Sequence, residues 1–204
     1  MITIIDYGLG NVLALVNVYS RLNIPVAVAK SANDFVKSTK LILPGVGSFD
    51  HAMQQLDQSG IRQSIEQLVL QQGMPILGIC VGMQMLAKSS NEGKLSGLGW
   101  IDGEVKKFDV STMPQGTNLP HMGWNDVKPV VEGGLFKGME QDAKFYFLHS
   151  YYFECHQPSN ILALTDYGSE FSCAVRRDNV YGVQFHPEKS HHFGSQLLRN
   201  FSEI

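Results

Sequence analysis

Short apolar runs alternate with amphipathic stretches along the first half of the chain. That alternation is the pattern of strands and helices in an α/β fold. Ile2–Asp6 reads as a short buried strand, followed by a turn at Gly8-Leu9-Gly10. Asn11 is placed to cap a helix running to about Leu22. Val26–Ala29 and Leu41–Leu43 read as further strands, the latter stopped by Pro44-Gly45-Val46-Gly47. Phe49–Gln72 carries helical periodicity broken near Ser59-Gly60, which predicts two helices. Pro75–Ile79 is the next buried strand and runs directly into Cys80–Ala87, which has a helical pattern.

After Ser89 the pattern changes to short alternating runs separated by turns. Strands are expected within Gly99–Phe108, Asn125–Val131, Phe145–Leu148, Tyr151–Glu154, Ile161–Thr165, Ser172–Arg176 and Val180–Gln184, with a closing helix at Ser195–Phe201. No repeat, low-complexity stretch or linker interrupts the chain. The expected architecture is one α/β domain over residues 1–204. Its central sheet is mixed and mostly parallel, with helices on its faces and a β-rich C-terminal half.

Composition narrows the function more than the fold. Hydrophobic residues make up 44% and charged residues 17% of 204, which suits a globular chain with a real core. Net charge is −3 with no Lys/Arg-rich run, so nothing argues for nucleic acid. The start, Met1 to Asp6, has no basic region and no long apolar stretch, and reads as no signal peptide. No apolar run reaches the ~20 residues of a membrane span. Three widely spaced cysteines form neither a disulfide framework nor a zinc pattern, which leaves the cytoplasm as the expected compartment.

Among those cysteines, Cys80 stands apart. Gly78-Ile79-Cys80-Val81-Gly82 sets it at a strand-to-helix junction with glycine two residues to either side. This is the layout of a nucleophile elbow, in which a strained turn lifts the reactive atom out of the sheet. Glycine is needed where a Cβ would strike a neighbouring strand or helix. A helix N-terminus at Cys80 would favour thiolate, and the Val81 N–H would point at a forming oxyanion. Cys155 and Cys173 lie in alternating β-type runs without such glycines and read as structural.

A reactive thiol needs a base, and the base needs an orienting group. Gln184-Phe185-His186-Pro187-Glu188 offers both at a strand end. In an extended segment, positions i and i+2 share one side, so Glu188 can hold one imidazole nitrogen while the other faces the thiol. Pro187 stiffens that turn and keeps His186 out of a helix. His191 and His192 lack carboxylate or cysteine partners at metal-ligand spacing, and no metal or cofactor is expected. The Pro44–Phe49 turn lacks the lysine and Ser/Thr of a phosphate loop and reads as a source of further oxyanion N–H groups.

Asp6–Asn11, Pro44–Phe49, Gly78–Gln84, Pro120–Asn125, His149–Tyr152 and Gly182–Ser190 together resemble the class I (triad-type) glutamine amidotransferases nearly end to end. The resemblance implies that Cys80 attacks the side-chain amide of glutamine, with His186 as proton shuttle and Glu188 as its orienter. It further implies an oxyanion hole at Gly45, Val46 and Val81, and substrate contacts at Gln84, Ser150 and Tyr151. The Asp6–Asn11 start and the His121–Asn125 segment are most similar to members serving histidine biosynthesis. There the ammonia passes to a (β/α)8-barrel cyclase subunit, in a heterodimer that makes imidazole glycerol phosphate and AICAR. Trp124 would then face that partner; read alone, it is equally a core aromatic. Phe171–Val175 and His191–Gly194 also resemble a paralogous group that supplies ammonia to an amidotransferase of surface-polysaccharide sugars. Two other readings stand beside these: a cysteine peptidase or other thiol hydrolase, and a non-catalytic binding module.

Overall fold

The computed structural model describes residues 1–114, 117–139 and 141–204. Strand β1 (Ile2–Ile5) leads into helix α1 (Val12–Arg21), β2 (Val26–Ala29) and β3 (Lys40–Gly45). Helices α2 (Phe49–Gln58) and α3 (Arg62–Glu66) follow, then β4 (Ile76–Cys80) and the single turn α4 (Val81–Gln84). The second half contributes β5 (Ser89–Ser90), β6 (Gly103–Lys107), β7 (His121–Asp126), β8 (Lys128–Pro129), β9 (Lys144–His149) and β10 (Tyr151–Cys155). It ends with β11 (Ile161–Asp166), β12 (Glu170–Arg177), β13 (Val180–Val183) and α5 (His191–Glu203).

The main sheet runs β2-β1-β3-β4-β13-β12-β10-β6-β5, with β11 and β8 branching from β12. From β2 to β13 every pairing is parallel, and from β13 onward the long strands pair antiparallel. This is the mixed, mostly parallel centre with a β-rich second half that the sequence pattern predicts. Parallel strands are covered on both faces, and β1, β4 and β13 are accordingly buried at every position. A separate ribbon, β7 against β9, packs inward through Phe145 and Phe147. Phe145 stacks on Phe185 with ring centroids 3.9 Å apart. No helix among the described residues is long and apolar enough to cross a membrane.

Three local expectations are corrected. The helix from Cys80 to Ala87 stops at Gln84. The carbonyls of Met85, Leu86 and Ala87 instead accept N–H groups of Leu98, Ile101 and Gly99 (2.8, 3.1 and 3.0 Å), so a crossing segment takes the bonds a longer helix would need. Within Asn125–Val131, expected as one strand, lie the two-residue β8 and only the end of β7, which starts earlier, at His121. The inward β7 positions His121, Gly123 and Asn125 are not apolar, which hides the usual alternation. β3 runs through Pro44 to Gly45, because its parallel register with β4 extends to the Gly45–Cys80 pair.

The junction of β3, β4 and α4 is exceptionally close. A Cβ on Gly82 would lie 1.9 Å from the Leu43 carbonyl oxygen, and one on Gly45 2.4 Å from the Gly82 nitrogen. Both obstacles are main chain, one in β3 and one in α4, and cannot swing aside as a side chain would. Gly82→Ala should therefore destabilise the fold by more than about 2 kcal/mol, as overpacking against immobile backbone does. Urea denaturation reads this directly, and a loss below about 0.5 kcal/mol would mean the junction can open.

Candidate active site

Cys80 ends β4 with φ +55° and ψ −114°, a backbone state that L-residues rarely adopt. The turn is imposed from both sides: a Cβ on Gly78 would lie 2.6 Å from the Gly82 carbonyl oxygen, and Gly82 presses on β3. Because α4 is only one turn long, it has almost no macrodipole. What it offers the Cys80 sulfur is local, namely the main-chain N–H groups at its start, which have no partner within the turn.

His186 lies just beyond β13, the parallel neighbour of β4. Its own N–H donates to the Tyr146 carbonyl (2.9 Å), which fixes the backbone. The ring lines the same cleft wall as Cys80, whose thiol acts on it electrostatically, and its Nδ1 pairs with Glu188 Oε1 at 2.9 Å. All three side chains are buried. Burial alone would lower the basicity of His186, but Cys80 and Glu188 outweigh it and raise the imidazole well above its ordinary value. Burial likewise pushes the Glu188 carboxyl up. The bonds from His186 and Asn11 outweigh it and hold the carboxyl below the usual range. Each partner thus favours the charged form of the other.

Asn11 stands at the N-cap of α1 as expected, but its side chain does something the sequence pattern does not show. As the cap of α1 it makes no side-chain capping bond. Its Nδ2 instead donates to Glu188 Oε1 at 2.7 Å. No local signal could have found this, because the partner lies at the other end of the chain. Gln184 is likewise missed. It is fully buried between apolar neighbours, and its Nε2 points at Cys80 Sγ from 3.8 Å.

These groups open onto a cleft of about 350 Å³ lined by Val46, Gly47, Cys80, Val81, Gln84, Ser150, Tyr151 and His186 among others. Of the expected substrate contacts, Gln84, Ser150 and Tyr151 all face it. Of the expected oxyanion elements, Val46 and Val81 face it, while Gly45 sits behind them in register with Cys80. Tyr7 pins this loop by donating to the Pro44 carbonyl (2.8 Å), and Glu92 by accepting the Phe49 N–H (2.8 Å). Neither residue stood out in the sequence.

Trp124 is 47% exposed on the outer face of β7, so it is not a core aromatic. It stacks on His191 at 5.1 Å with the rings nearly parallel, beside exposed Met122 and Leu148. Cys173 is fully buried and Cys155 bonds the Gln157 carbonyl, with burial raising both thiols. A thiol, an imidazole with an ionised carboxylate behind it, and main-chain donors at a cleft are the parts of an acyl-transfer site.

The family described as Glutamine amidotransferase class-I matches residues 3–204. An imidazole glycerol phosphate synthase subunit HisH of Bdellovibrio bacteriovorus is 62% identical over 204 residues, all of both chains. The protein of the same name from Leptospira interrogans is 50% identical, again over all of both chains. Among solved structures, PurLQS from Thermotoga maritima superposes with a TM-score of 0.75 at 16% identity, covering 99% of this chain and 97% of that one.

Replacing Glu188 by Gln removes the charge that helps keep His186 protonated. The imidazole titration, followed by NMR, should move to lower pH. The sign follows from linkage. His186, with its raised folded value, adds stability below about pH 6.5 that is lost as pH climbs through the folded value. The Gln variant should therefore lose stability most below that pH, and an unmoved titration would separate Glu188 from His186.

Proposed function

The chain belongs to the class-I glutamine amidotransferases, and from that premise we propose that residues 1–204 act as one glutaminase domain with Cys80, His186 and Glu188 as its catalytic triad. The observation that carries this reading is the buried line from Cys80 through His186 to Glu188, at the wall of a cleft that Gln84, Ser150 and Tyr151 share.

The chemistry follows from the placement. Cys80 Sγ attacks the side-chain amide carbon of glutamine after its proton passes to His186. The carbonyl oxygen becomes an oxyanion, held by the Val81 N–H and by main-chain N–H groups of the Gly45–Val46 segment. His186, steadied by Glu188, returns the proton to the leaving nitrogen, and ammonia departs. The γ-glutamyl thioester is then attacked by water with His186 as base, releasing glutamate and the thiol. Gln84, Ser150 and Tyr151 hold the amino-acid end of the substrate.

The ammonia is passed to a partner subunit, a (β/α)8-barrel cyclase that forms imidazole glycerol phosphate and AICAR in histidine biosynthesis. Full-length relatives named for imidazole glycerol phosphate synthase, at 62% and 50% identity, favour this acceptor over the sugar amidotransferase. The exposed Trp124, with Met122 and Leu148 beside it, suits the docking face. Three unpaired cysteines suit the reducing cytoplasm.

Cys80→Ala should lower glutamine-dependent product formation by the assembled synthase at least about 10³-fold. Synthesis from added ammonium should persist, and equal loss of both would sink the ammonia-donor role. Trp124→Ala should weaken association with the cyclase subunit about tenfold or more, measured by titration calorimetry, as loss of an aromatic anchor does. Unchanged affinity would move the docking face elsewhere.

A further inference from the structure

Two buried histidines lie outside the triad. His121 Nδ1 and His149 Nε2 are 2.9 Å apart, between the facing ends of β7 and β9. Their proton positions can be worked out from fixed groups at either end. His149 Nδ1 is 2.7 Å from the Tyr151 carbonyl oxygen, which can only accept. The proton of His149 is therefore on Nδ1, and its Nε2 carries a lone pair. His121 must then donate from Nδ1, which leaves its own Nε2 as an acceptor.

The far end agrees independently. Asn125 Nδ2 is 3.2 Å from His121 Nε2. Its amide is oriented by other bonds: Nδ2 donates to the Asp166 carbonyl (2.7 Å) and Oδ1 accepts the Asp126 N–H (2.8 Å). So Asn125 presents a donor where His121 needs one. Burial lowers both imidazoles, His121 to about 4, and neither ring carries a second proton at neutral pH.

The same Tyr151 carbonyl takes a second hydrogen, from Gln84 Nε2 at 3.2 Å. That nitrogen's other hydrogen goes to Gln184 Oε1 at 3.0 Å. The Gln184 amide is thereby turned with its Nε2 toward Cys80 Sγ. The two runs of bonds meet at the Tyr151 carbonyl, which accepts from both His149 and Gln84; the histidines bear on where that oxygen sits, and the oxygen sets the sense of the two amides that lead to the sulfur.

We propose that Gln184 is a further catalytic residue, donating its amide N–H to the Cys80 sulfur as negative charge gathers there, and that His121 and His149 are positioning residues that fix that amide through Tyr151 and Gln84. The inference rests on the glutaminase reading. The sulfur is charged before attack and neutral in the thioester, so a donor aimed at it assists loss of the thiol proton and return of the thiolate as leaving group. In the glutaminase reading His186 handles the proton. Gln184 handles none.

The test is the rate at which iodoacetamide alkylates Cys80, read by mass spectrometry on the full chain without glutamine. Gln184→Glu keeps the shape and the acceptor for Gln84, but replaces the donor facing sulfur by a carboxylate oxygen. It should slow alkylation and lower kcat for glutamine by about tenfold or more, with KM within about threefold. His121→Leu cuts the chain at a distance and should slow alkylation by about threefold or more. His121→Asn, which returns a donor near the Nδ1 position, should recover most of that loss. Alkylation within about twofold of the unaltered protein in Gln184→Glu would overturn the proposal. So would equal rates for the two His121 variants, the mark of a packing role. Where Gln184→Glu does not fold, the His121 pair decides. Unaltered protein that alkylates normally but hydrolyses no glutamine with its partner would refute the glutaminase reading and leave the chain of bonds intact.

Discussion

The near-contact between α4 and the end of β3 is the constraint on which the site depends. With Leu43, Gly45, Gly78 and Gly82 all meeting within a few ångströms, the chain after β4 has no room for a side chain on its inner face. It leaves the sheet through a residue at φ +55°, and that residue is Cys80. A strained residue of this kind costs on the order of 1–3 kcal/mol and persists only when its surroundings leave no alternative. Here the parallel register of β3, β4 and β13 supplies that surrounding. The same register brings His186, just beyond β13, alongside Cys80.

Burial makes this geometry chemically effective and also demanding. Charges removed from water must be paired or they are neutralised. His186 and Glu188 meet this by stabilising one another's charge, and Asn11 adds a neutral donor to the same carboxylate oxygen. Glu188 Oε2 is buried with no partner among the described residues. The carboxylate thus relies on Oε1 alone, which makes the Asn11 bond weightier than one amide contact would be on the surface. A donor from the first turn after β1 closes a site whose other members sit in the second half of the chain. The two halves of the fold are therefore needed together.

Cys80, His186 and Glu188 were legible in the sequence because each carries its physical reason within a few residues. Glycines flank the bend, and a proline stiffens the step from base to carboxylate. Asn11, Gln184, Glu92 and the His121–His149 pair were not legible, because their partners are distant in sequence. Asn11 looked like a helix cap since caps and carboxylate donors use the same residue type at the same place. Gln184 looked like one polar residue in a buried strand. Strand positions read well where apolar residues point inward, and read poorly at β7, whose inward residues are polar. The truncation of α4 was also out of reach, since it depends on carbonyls taken by a segment that crosses later.

β7 follows an inverted rule that ties these points together. On an ordinary two-stranded ribbon the apolar side faces the core and the polar side faces water. In β7, the inner face carries His121 and Asn125, while Met122 and Trp124 stand outside. The polar inner face is tolerated because every group there has an oriented partner, which turns a desolvation penalty into fixed geometry. On the outer face Trp124 stacks on His191 yet stays about half exposed, with exposed Met122 beside it. Both faces belong to the same six residues, so the strand that exposes Trp124 also carries the buried His121.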